Sequence, residues 1–123
     1  MVLEGKIEKE GFQVTHINES FKCAFITENP QYAYGWVSVL KRHNESDEVF
    51  TLISGTAKLL TGDPDKEEYD IRELQKGIAY CVTAGTWHHL AVSWDAMVFV
   101  VENSGVSGQN TDAVSVEARK LYV

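Results

Sequence analysis

At 123 residues the chain is long enough for one domain with a sizeable core. Hydrophobic residues make up 44% and charged residues 24%, an ordinary globular composition. A formal net charge of −7 and a pI near 5.0 argue against nucleic acid or an anionic membrane surface as partner, but leave room for a small anion held by one or two local cations. The first residues, MVLEGKIEKE, alternate apolar and charged groups, so no secretory signal and no bilayer-spanning run is expected.

From there the chain reads at period two. FQVTHI, FKCAFI, GWVSVLKRH, EVFTLISG, TAKLLTG, IAYCV, HLAVSW and MVFVVEN are short β-branched or aromatic runs separated by turn-rich NES, ENPQ, HNESD, GDPDKEE, TAGT and WDA. Strands recurring about every ten residues predict one all-β domain over residues 1–123, a sandwich or barrel. The helix candidates are DKEEYDIRE and the tail Val114 to Val123. Cys23 and Cys81 sit in apolar runs and read as buried, free thiols of a reducing, cytoplasmic compartment.

Side-chain parity places polar groups on apolar faces. In GWVSVLKRH, Val37, Val39, Lys41 and His43 share one face; Trp36, Ser38, Leu40 and Arg42 share the other. Exposed Trp36 and Leu40 would need a second contact, either a packed sheet or the interface of a homodimer. In EVFTLIS, Glu48 shares a face with Phe50 and Leu52, and a lone inward carboxylate is costly unless paired or coordinated. Tyr80 and Val82, then His88, Leu90 and Val92, make a strand pair around a turn at Gly85. His89 and Trp87 point the other way, Trp94 joins the inward set, and His16 reads as exposed. The acidic stretch Asp63 to Asp70 reads as a solvated hairpin, since it lacks the glycine and glutamate spacing of an EF-hand loop.

These spacings resemble the paired motifs of the cupin superfamily, small double-stranded β-helix (jelly-roll) barrels. The first segment, about residues 35–55, runs Gly35, Lys41, one residue, His43, four residues, Glu48, six residues, Gly55. The second, about 77–92, runs Gly77, five residues, Thr83, Ala84, Gly85, two residues, His88, with Val92 where the family often has asparagine. The resemblance implies a divalent transition metal (Fe, Mn, Ni or Zn) held by His43, Glu48 and His88. It also puts Lys41 where the family's first histidine stands, and an ammonium has no lone pair for a metal.

Two readings follow. In the first, a cytoplasmic, homodimeric cupin binds metal and a small anionic or carbohydrate-like metabolite inside the barrel. Lys41 is its anion contact, Phe50 and Tyr80 are its walls, and isomerase, lyase or dioxygenase chemistry is open to it. In the second, a metal-free, non-enzymatic small-ligand barrel holds a Lys41–Glu48 ion pair in place of the metal.

Overall fold

The computed structural model describes residues 1–120. Among the described residues ten strands divide into two five-stranded antiparallel sheets. The first sheet, in spatial order, contains β1 (Gly11–Ile17), β2 (Phe21–Thr27), β9 (Met97–Asn103), β4 (Glu48–Ser54) and β7 (Ala79–Val82). The second contains β10 (Thr111–Lys120), β3 (Trp36–His43), β8 (Trp87–Val92), β5 (Ala57–Asp63) and β6 (Glu68–Glu73). The period-two apolar pattern explains the layering. Ile26, Phe50, Leu52, Val98 and Val100 of one sheet meet Leu59, Leu90 and Val92 of the other in one buried core. The architecture is the expected all-β jelly roll.

Several expectations change. Among the described residues both helix candidates are strand, with a turn leading into the first. Glu68–Glu73 pairs with β5, Leu60 opposite Ile71, because Tyr69 and Ile71 are better served by an edge strand than by an isolated helical turn. Residues 114–120 belong to β10, which pairs with β3 (Val114 opposite Leu40) with a register break between residues 115 and 119, while Val114 and Val116 pack on the second core cluster. Leu121 to Val123, the end of that candidate, lie outside the described residues. Leu40 is not exposed: it is fully buried in a second cluster with Val37, Leu60 and Ala91, covered by Tyr34, Tyr69, Trp87, Val114 and Val116. Trp36 is left 70% exposed, so Trp36 alone carries the argument for a further contact.

Trp94 is exposed rather than inward, because β8 ends at Val92 and Trp94 sits in the turn beyond it. Cys81 is exposed on edge strand β7 and Cys23 half-buried, both free. His16 is half-buried, its Nε2 donating to the Leu3 carbonyl at 2.9 Å.

Gly55 is a tight point of the fold. Its φ is +70°, and a Cβ there would lie 2.5 Å from the Ala96 Cα. Gly55→Ala is therefore expected to cost about 1–3 kcal/mol from the left-handed backbone, with the backbone clash adding to it. Urea unfolding with an unchanged slope is the check.

Candidate metal centre

The two turns that carry the motifs are fastened to each other by two backbone amides. The Gly85 amide donates to the His43 carbonyl at 2.7 Å, and the Ala84 amide donates to Asp47 Oδ1 at 2.9 Å. The end of β3 and the start of β4 are thereby held against the turn that leads into β8. That brings together His43, Glu48 and His88, residues up to 45 positions apart in the sequence. His43 Nε2 lies 3.2 Å from Glu48 Oε1, and His88 Nε2 lies 3.1 Å from the same oxygen. All three ligand atoms fall within 4.8 Å of one another, with Glu48 and His88 buried.

The partners of the other ring nitrogens define the chemistry. His88 Nδ1 is 2.9 Å from the Thr86 carbonyl, which can only accept, so Nδ1 carries the proton. In the neutral ring Nε2 then presents a lone pair to a carboxylate oxygen at 3.1 Å. Two lone pairs facing at that distance require a metal cation bound by both or, in the metal-free protein, a proton between them that makes the contact a hydrogen bond. His43 Nδ1 is held by the Thr111 hydroxyl at 2.9 Å, which fixes the orientation of that ring too. For metal–ligand bonds of about 2.0–2.2 Å, adjacent ligands lie roughly 3 Å apart, so edges of 3.1 and 3.2 Å suit a divalent ion. The residues fit a metal.

A third set of polar groups, for which the motif spacing gives no signal, completes the surroundings. Lys22, Glu102 and Glu48 are successive cross-strand partners on β2, β9 and β4, so all three project from the same face. Glu102 is buried, and its Oε1 pairs with Lys22 Nζ at 3.5 Å. In the metal-free protein burial pushes the Glu48 carboxyl up, but hydrogen bonds from His43 and His88 outweigh it and hold the group at about 2. Burial and the charge on Glu48 instead push Glu102 up to about 7. The hydrogen bond to Glu48 raises His43 against the opposing effect of burial. Tyr32, equally outside the motifs, is pushed up to about 12 by burial and by the two carboxylates, so its phenol stays protonated.

These groups open onto a cavity of about 650 Å³ lined by Tyr32, Val37, Lys41, Phe50, Leu90 and Thr111 among others. Phe50 is a wall of this cavity, its ring centroid 6.2 Å from that of His88. Tyr80 is not. Although it lies opposite Phe50, it is on the edge strand and borders a separate cavity toward Asp70 and Arg72, its hydroxyl accepting from the Gln75 amide at 2.9 Å.

Lys41 lines the main cavity but keeps an exposed side chain and makes no ion pair with Glu48 among the described residues. The Lys41–Glu48 pair is thus replaced by histidines on Glu48 and by Lys22 on Glu102. Strands β3 and β8 share a single ladder position, Lys41 opposite His88. Lys41 therefore stands at the cavity rim where the two strands cease to pair. The alternate residue His89 is half-buried, and burial lowers it to about 4, with the charges of His88 and Lys41 adding.

The shifted groups give the metal-free protein a defined pH response. Glu48, lowered from 4.5, contributes stability that is complete above 4.5 and lost as pH falls toward 2. Glu102, raised from 4.5 to about 7, contributes stability that is complete below 4.5 and lost as pH rises through 7; the raised His43 acts in the same direction above 6.5. Chelator-treated protein is expected to unfold at lower urea at pH 8 than at pH 5. Glu102→Gln should shrink that difference, measured by urea titration at both pH values.

No protein-family model matches the chain, and no curated protein matches it in sequence. Solved structures do match it in fold. A cupin-2 domain containing protein from Shewanella frigidimarina NCIMB 400 superposes with a TM-score of 0.59 at 17% identity, over 79% of this chain and 84% of that one. A Bacillus halodurans protein gives 0.65 at 12% identity, over 89% and 80%. Oxalate decarboxylase from Bacillus subtilis gives 0.61 at 18% identity, over 89% of this chain but only 29% of the enzyme. At these identities the likeness is one of fold. Among the described residues no helix is long and apolar enough to cross a membrane.

Proposed function

We propose that this chain, a cupin by fold, binds a divalent transition metal through His43, Glu48 and His88, and a small anionic or carbohydrate-like metabolite beside it. The observation that carries the reading is the pair of imidazole Nε2 atoms at 3.1 and 3.2 Å from one buried carboxylate oxygen, with His88 held in the tautomer that leaves Nε2 its lone pair. Two imidazoles and one carboxylate suit iron, manganese, nickel or zinc and leave positions for water or ligand. A bound ion would supply Lewis-acid polarisation of a carbonyl or enolate oxygen.

The chain's own residues supply the rest. Lys41 at the cavity rim attracts and orients an anionic group. Phe50 gives an apolar wall, and the protonated Tyr32 phenol gives a donor on the cavity lining. Such a site serves isomerisation, lyase chemistry or dioxygenation of a carbonyl-bearing sugar or organic acid, and an oxalate decarboxylase among the fold neighbours supports the organic acid. We further place the chain in the cytoplasm, on its two free cysteines, and in a homodimer, on exposed Trp36. Sedimentation velocity should give twice the 13.8 kDa chain mass.

The test is the metal content of untagged protein purified without chelators. Near-stoichiometric metal is expected in the wild type and in Lys41→Ala, and none in His88→Ala. A wild type that takes up no metal even on reconstitution would overturn the reading in favour of the metal-free barrel.

A further inference from the structure

Glu102 carries an obligation that the three-residue site does not meet. It is 5% exposed, and among the described residues its buried Oε2 has no donor to accept from; its one side-chain hydrogen bond, to Glu48, holds only while the two carboxyls share a proton. Once that proton is lost, two buried carboxylates face each other with nothing between them, among the costlier arrangements in a protein interior. The oxygen is not aimed at random. Glu102 lies directly across the β4–β9 ladder from Glu48, and Oε2 is 3.9 Å from His43 Nε2. The carboxyl's other oxygen is held by Lys22, whose ammonium also donates to the Val106 carbonyl at 2.9 Å. One oxygen is therefore anchored away from the site while the other is turned toward it.

We propose that Glu102 is a fourth metal ligand, supplying through Oε2 the donor that lysine at position 41 cannot. This rests on the His43, Glu48 and His88 site reading. The charges favour it: two adjacent carboxylates repel, Lys22 neutralises one, and a divalent ion held by these residues would offset the rest. Lys22 holds Glu102 for one-oxygen coordination and is a positioning residue. The centre is thus two histidines and two carboxylates, with the second carboxylate drawn from the neighbouring strand rather than from either motif.

The experiment loads wild-type and variant protein with Co²⁺ alone, reads the visible ligand-field spectrum, and measures affinity by chelator competition. Glu102→Gln, nearly isosteric, should weaken affinity at least about tenfold and change the band positions and intensities. Glu102→Asp keeps the charge but withdraws the oxygen, and should behave like Gln. Lys22→Met should weaken affinity less and leave the band pattern recognisable. Wild-type spectrum and affinity in Glu102→Gln would overturn the fourth ligand while leaving the three-residue site standing. Wild-type behaviour in Glu102→Asp would reduce Glu102 to a distant charge and overturn it as well. No Co²⁺ binding by the wild type would bring down the three-residue site and this inference together.

Discussion

Glu48→Gln is expected to lower affinity for a divalent metal by more than about 100-fold, beyond the range seen when only an outer partner of a ligand is lost. Glutamine keeps the shape and can still accept one hydrogen bond, so the barrel should fold. What disappears is the charge on the oxygen that both imidazoles share at 3.1 and 3.2 Å. The metal-free protein offers an independent readout. Because the hydrogen bond to Glu48 is the largest influence raising His43, its titration midpoint should fall in the variant, as followed by proton NMR of the ring. Unchanged affinity would mean that Glu48 is a structural acceptor for two histidines and not a ligand.

Phe50→Ala is expected to cost about 3–5 kcal/mol, the range for removing a fully buried aromatic ring. Phe50 is 2% exposed and lies between its cross-strand neighbours Tyr80 and Val100. Its ring also packs beside that of His88, so the cavity it leaves loosens one wall of the site. Urea unfolding should show a lower midpoint. Saturating metal should recover part of the loss, since a ligand that binds only the folded state adds stability by mass action. A loss below about 1 kcal/mol would mean that the core closes over the missing ring.

Side-chain parity makes much of the site legible in the order of the amino acids. His43, Glu48 and His88 each sit at a strand end, in phase with apolar residues, and the fold brings them together. Lys22 and Glu102 carry the same signal: Lys22 is in phase with Ala24 and Ile26, and Glu102 with Val98 and Val100, all four of the apolar positions aligned inward. What the pattern does not contain is that β9 inserts between β2 and β4, placing Glu102 beside Lys22 and Glu48 from opposite ends of the chain. Such pairing is a non-local choice that no local spacing encodes. Leu40 departs from its expected exposure for a related reason, because the side chains that cover it include Val114 and Val116 of the adjacent β10, whose sequence also reads as helix. Trp94 and Tyr80 show two other limits of parity. It fails past the last paired residue of a strand, and it does not say which side of a barrel an edge strand faces.

The hydrogen bonds from the Gly85 amide to the His43 carbonyl and from the Ala84 amide to the Asp47 carboxylate involve no metal ligand side chain. They set the distance between the two ligand-bearing turns whether or not an ion is present. Stripping the metal should therefore leave a folded barrel, unlike small domains that collapse on chelation. Reloading should then be a second-order capture step, its rate rising in proportion to free ion, with no slow refolding phase limiting it.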